Sequence, residues 1–119
     1  AAGNASIIVP GQNTSLLATE LYQLLETSDV PAGYINILTT KQNSLNKILA
    51  EHENIDGIWY FSENNNERLK VIQSTTSNLK RSWCPQSKNL DWSSKEEDFL
   101  EEFLYQSTQV KNIWIPYGE

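Results

Sequence analysis

The sequence is poor in the residue types on which most site chemistry rests. It holds one cysteine, one histidine and no methionine in 119 residues. A lone Cys84 excludes an internal disulfide, and one cysteine with one histidine is too few for a zinc site of the usual kind. The five glycines, Gly3, Gly11, Gly33, Gly57 and Gly118, are too dispersed to form a phosphate-cradling loop of the Gly-x-Gly-x-x-Gly or Walker type. No apolar run approaches the roughly 20 residues of a membrane-spanning helix, so no membrane span is expected. The nine basic residues are scattered under a net charge of −6, which disfavours nucleic acid and phosphate-rich surfaces as partners. Asn4-Ala5-Ser6 and Asn13-Thr14-Ser15 match glycosylation acceptors, but no secretory signal pattern accompanies them. They are read as chance matches, and a cytoplasmic location is expected.

What is present alternates between strand and helix signals. Ser6–Val9 is a short apolar run stopped by Pro10, and Thr14 is placed as the cap of a helix whose inward stripe is Leu17, Leu21, Leu24 and Leu25. Pro31 and Gly33 lead into an apolar strand at Tyr34–Leu38, and Leu45, Ile48 and Leu49 mark a short second helix. Ile58–Phe61 is an aromatic strand and Glu67 to Gln73 a helix with Leu69 and Ile72 inward. Leu79–Cys84 is a fourth strand ending at Pro85. Ser94 and Glu97 have capping-box spacing before Phe99, Leu100, Phe103 and Leu104, and Val110–Ile115 is a fifth strand. Strands separated by helices predict right-handed crossovers and an α/β fold, with a mainly parallel, Rossmann-like sheet of about five strands.

Single residues offer little chemistry. His52 stands between Glu51 and Glu53 and reads as a solvated surface histidine; Cys84 ends an apolar strand with no base beside it in sequence. The carboxylates Glu96, Glu97, Glu101 and Glu102 read as the wet face of an amphipathic helix. The four tryptophans and five tyrosines read first as core, with interface anchoring as the alternative.

Longer strings carry more. Ala2-Gly3-Asn4-Ala5-Ser6-Ile7-Ile8-Val9-Pro10, Pro31-Ala32-Gly33-Tyr34-Ile35-Asn36-Ile37-Leu38-Thr39 and Ser77-Asn78-Leu79-Lys80-Arg81 resemble, in order and spacing, the coenzyme-domain segments of the aldehyde-dehydrogenase superfamily. Ile58-Trp59-Tyr60-Phe61 and Ile113-Trp114-Ile115-Pro116-Tyr117-Gly118 resemble the truncated, non-catalytic C-terminal unit of its family sixteen. The resemblance implies a partial coenzyme domain over residues 1–104 and an oligomerisation-arm-like strand within 105–119, in one compact domain.

It also implies which groups are missing. The lysine and glutamate that bind the adenosine ribose fall on Val9 and Gln12, and the glycine of the v-v-T-G turn on Thr40. The glycine and serine that meet the pyrophosphate fall on Ser62 and Glu63, and the general base on Pro85. An added carboxylate about 4 Å from a phosphate charge repels it by about 4 kcal/mol at an effective dielectric near 20. An exposed helix dipole returns at most about 1 kcal/mol. No cofactor and no catalysis are therefore expected, the nucleophilic cysteine's domain being absent after Asp91-Trp92. Val110, Lys111, Asn112, Ile113, Trp114 and Ile115 are the expected interface, adding a strand to another part of a longer chain or to a second copy. The alternative is a vestigial nucleotide or small-metabolite site in an altered crevice at Thr40, Ser62 and Glu63.

Overall fold

The computed structural model describes residues 3–40 and 42–117. They fall into two compact units, Ala5–Asp91 and a second one of Ala1–Asn4 with Trp92–Glu119. The division places the last helix with the C-terminal segment.

The larger unit is α/β. Strand β1 (Ser6–Ile8) is followed by helix α1 (Ser15–Glu26) and pairs in parallel with β2 (Ile35–Ile37), in the register Ser6↔Ile35 to Ile8↔Ile37. After α2 (Gln42–Glu51), β3 (Gly57–Trp59) is joined through α3 (Asn65–Thr75) to β4 (Arg81–Trp83), again in parallel, with Trp59 opposite Trp83. Each parallel pair is thus a βαβ unit, as the alternation of signals predicts. The described residues hold four strands in two separate pairs, however, and not one sheet of about five. Each strand is three residues long, which leaves few backbone groups to extend a ladder sideways.

Inward faces differ from the apolar stripes read in sequence. In α1 the buried residue is Ala18, with Leu25 half-buried, while Leu17, Leu21 and Leu24 are exposed. A two-stranded pair is too narrow to cover the whole apolar arc of a helix, and the contact goes to the side bearing the small alanine. In α3 the buried residues are Val71 and Thr75, one helical turn apart; Ile72 is half-buried and Leu69 exposed. Tyr60, Val71 and Cys84 form the core of the β3–α3–β4 unit, with Ile58 and Ile72 against them. Alternation along β3 and β4 sends Trp59, Phe61 and Trp83 to the other face, where they meet edge to face at centroid distances of 5.0–6.4 Å.

The helix ends show where polar side chains are used. Thr14 stands at the N-cap position of α1, yet its hydroxyl donates to the Gly11 carbonyl at 3.1 Å and caps no amide. Asn64 caps α3, accepting from the amides of Asn66 (3.0 Å) and Glu67 (3.4 Å). At the other end of α2, buried Lys80 donates to the carbonyls of Leu49 (2.8 Å) and His52 (2.6 Å), and Asn78 to that of Ala50 (3.2 Å). A cation at a helix C-terminus satisfies orphan carbonyls and opposes their partial negative charge. Leu79, just before it, adopts a left-handed conformation (φ 54°) with its side chain 92% exposed, so the chain turns there to bring Lys80 inward.

In the smaller unit, α4 (Glu97–Ser107) starts after Glu96; Ser94 accepts from the Glu96 amide (3.2 Å) and does not cap the helix. Phe103 contacts Phe99 and Trp92 at centroid distances of 5.0 and 6.0 Å, and Asn4 donates to the Ser107 carbonyl at 2.6 Å. The strand expected at Val110–Ile115 is not formed: residues 108–117 carry no regular secondary structure, and Trp114 is 88% exposed. A strand exists only through its ladder, and among the described residues no neighbouring strand supplies one to this segment.

Candidate functional site

Parallel pairing places the carboxyl ends of paired strands at one edge, where α/β units take their ligands. All six positions singled out in sequence lie within four residues of such strand ends. Val9, half-buried, follows β1, and Gln12, exposed, opens the single turn Gln12–Thr14; Thr40, exposed, lies in the turn after β2. These three belong to the β1–β2 pair. Ser62, Glu63 and Pro85 belong to the β3–β4 pair, Ser62 and Glu63 between β3 and α3 and Pro85 just beyond β4.

The structure joins the last three regions. The Glu63 carboxylate accepts a hydrogen bond from the Lys88 amide at 2.5 Å, tying the loop after β3 to the turn Ser87–Asn89 after β4. Beside it, the Ser62 hydroxyl oxygen accepts from the Asn64 amide (3.1 Å), and Asn64 in turn caps α3. Glu67 accepts from the Tyr60 hydroxyl (3.0 Å) and the Ser62 hydroxyl (3.5 Å). The leading amides of α3, the groups that attract an anion at a helix N-terminus, are therefore held by the chain's own side chains. Arg68 donates from Nε to the Cys84 carbonyl at 2.8 Å and so fixes the start of the β4 loop against α3.

Two shallow, open depressions lie among the described residues of this unit. One of about 610 Å³ lies along α2 and α3, beside Asn46, Glu51, Lys70 and Ser74. The other, of about 260 Å³, lies between α1 and β2, beside Ala18, Tyr22, Ile37 and Thr39. Neither is lined by Ser62, Glu63 or Pro85.

Electrostatics at β3 and β4 favour protonated, unreactive side chains. Burial pushes the Cys84 thiol above its ordinary pKa, against the Arg68 charge and a Tyr60 backbone hydrogen bond, so the neutral form is held at neutral pH. Burial also raises the Tyr60 phenol, and the Glu67 carboxylate that accepts its hydrogen bond raises it further. His52 is exposed, with Nδ1 accepting from the Asn54 amide at 3.2 Å. Glu63 is exposed as well, so solvent screens its repulsion of a phosphate well below the value of a buried charge.

Two structural polar residues escaped the sequence reading. Asn64 sits in the Asn64-Asn65-Asn66 tract, which looks like composition bias; an Asn followed three residues later by Glu67, ahead of an apolar stripe, is the signal that marks it as a cap. Lys80 had no local signal, because its acceptors lie about thirty residues earlier, in the last turn of α2 and just beyond it.

Paired βαβ units with parallel strands define an α/β protein. Residues 1–84 match the model of the aldehyde dehydrogenase family, and the chain belongs to that family. Among curated proteins it is similar to the NADP/NAD-dependent aldehyde dehydrogenase PuuC of Escherichia coli (strain K12), with 29% identity over 83 residues. That stretch is 70% of this chain and 17% of the relative's length. Val9, Gln12, Thr40, Ser62 and Glu63 all fall within the matched residues, and Pro85 follows the last of them.

Proposed function

We propose that this region is a non-catalytic, aldehyde-dehydrogenase-like module with a structural, oligomerisation or protein-interaction role in a longer chain. In finer detail it is the truncated C-terminal unit of family sixteen. The observation that carries the reading is the hydrogen bonding of the loops beyond β3 and β4. There Asn64 takes the leading amides of α3 and Glu63 takes the Lys88 amide, so the groups suited to a diphosphate already have protein partners. Val9 adds an aliphatic side chain where the resemblance calls for a ribose partner, and Pro85 has no ionisable group with which to move a proton.

The interaction role rests on the C-terminal segment. Val110, Ile113, Trp114 and Ile115 are each more than three-quarters exposed, and the backbone from Val110 to Ile115 is in no ladder. A segment with that much unpartnered apolar surface and free main-chain groups suits strand addition to a sheet edge, in the same longer chain or in a second copy. Lys111 and Asn112 then lie on opposite faces of the added strand.

Calorimetric titration of the protein with NAD and with NADP tests the first half; no heat of binding is expected, and a micromolar affinity overturns it. Deleting residues 110–115 and measuring the mass in solution tests the second, with loss of assembly expected and an unchanged assembled mass refuting the arm.

A further inference from the structure

Asp56 is followed by glycine, whereas Asp29, Asp91 and Asp98 precede valine, tryptophan and phenylalanine. Asp56 and Gly57 are both exposed, at the point where the chain enters β3. We propose that Asp56-Gly57 is a site of self-modification in the folded protein, where aspartate converts spontaneously to isoaspartate and so unpins the start of the β3–β4 pair.

The ladder leaves the nucleophile available. Arg81 donates its amide to the Asp56 carbonyl at 3.3 Å and Tyr60 donates its amide to the Trp83 carbonyl at 3.0 Å, so residues 56, 58 and 60 bond toward β4. Successive residues of a strand bond in opposite directions, and the Gly57 amide therefore points to the other edge, where no strand lies among the described residues. With no Cβ on Gly57, nothing on that residue shields the nitrogen from the Asp56 carboxyl.

The chemistry needs only water. The Gly57 nitrogen bonds to Cγ of Asp56 in its acid form; the Cγ–hydroxyl bond breaks, and the hydroxyl leaves with the amide proton as water. A cyclic imide results, and water then adds to one of its carbonyls. Opening at Cγ restores aspartate. Opening at the former main-chain carbonyl breaks that carbon's bond to nitrogen and gives isoaspartate, whose main chain runs through Cβ and Cγ. The carbonyl that accepted from Arg81 is then a free carboxylate outside the main chain, and the ladder loses its first bond. Tyr60, Val71 and Cys84, the core of this unit, depend on that ladder.

The glycine is not demanded by the fold. Gly57 has no left-handed backbone, and a Cβ there would meet the Arg81 carbonyl oxygen at 3.7 Å, an ordinary contact. Gly57→Ala therefore fits the native structure while crowding the nitrogen.

The test holds the wild type and G57A for weeks at neutral pH, natively and in urea. Isoaspartate at residue 56 is read by fragmentation mass spectrometry of its peptide, and the folded state by the reactivity of Cys84 toward iodoacetamide. In the native wild type isoaspartate is expected at a rate within about tenfold of that in urea, with Cys84 becoming reactive in proportion. In G57A both changes are expected to slow by about tenfold or more. Isoaspartate in urea but none in the native protein overturns the proposal, because the fold then protects the site. Equal rates in G57A and wild type, or isoaspartate with Cys84 as protected as in fresh protein, overturn it as well. If G57A does not fold, Asp56→Glu decides the matter, since it keeps the charge and the glycine but must close a larger ring: Cys84 protected on ageing supports the site, and Cys84 exposed as in wild type refutes it.

Discussion

Replacing Lys80 by methionine tests how the larger unit ties α2 to β4. The Lys80 ammonium is buried and donates to the carbonyls of Leu49 at 2.8 Å and His52 at 2.6 Å. The His52 carbonyl keeps a second donor, the Ile55 amide at 3.3 Å, and His52 itself is exposed, so it is easily re-satisfied. The loss therefore falls on the half-buried Leu49. A hydrogen bond from a charged donor contributes about 1.5–3 kcal/mol. A cation at a helix C-terminus adds about 0.3–1 kcal/mol. Against these stands the cost of dehydrating the ammonium, which pulls its pKa below the ordinary lysine value, with the nearby Asp56 charge opposing. Methionine has a stem of similar length and removes that cost. The bonds outweigh it, and K80M is expected to lose about 2 kcal/mol. With a urea slope of about 1–3 kcal/mol per molar, the unfolding midpoint falls by roughly 1 M. The pH dependence has a definite sign. A folded pKa below the unfolded one means that the unfolded chain binds the proton more tightly, so the wild type gains stability relative to K80M as pH rises through the window below the ordinary lysine pKa. A midpoint equal to or above that of the wild type, at neutral pH, refutes the reasoning: dehydration would then have cancelled the bonds.

Asn64→Ala removes the acceptor of two α3 amides and is expected to cost about 1 kcal/mol in urea unfolding, with Asn64→Asp retaining most of the stability. Cys84 is expected to resist iodoacetamide at neutral pH in the native protein and to react fully in denaturant, because burial keeps it a thiol. Its folded pKa lies above the unfolded one, so its contribution to stability is present below the ordinary thiol range and is lost as pH rises through it; Cys84→Ala should flatten that alkaline decline.

The α/β class, the four strand positions and the helices between them were legible in the sequence because each leaves a local mark: a short apolar run bounded by proline or glycine, or an apolar period near 3.6. The family was legible as well, since its segments are contiguous strings that survive around Val9, Thr40 and Glu63.

Orientation and partnership were decided by tertiary structure. Whether Leu17 or Ala18 faces the β1–β2 pair depends on the width of the surface that α1 meets, and sequence period cannot measure that width. The destination of Lys80, the seat of the Glu63 carboxylate on the Lys88 amide, and the edge-to-face meeting of Trp59, Phe61 and Trp83 all join residues far apart in the chain. Val110–Ile115 shows the same limit from the other side. Its composition is that of a strand, but a strand is completed by hydrogen bonds from a neighbour, and only the neighbour's presence decides whether one forms.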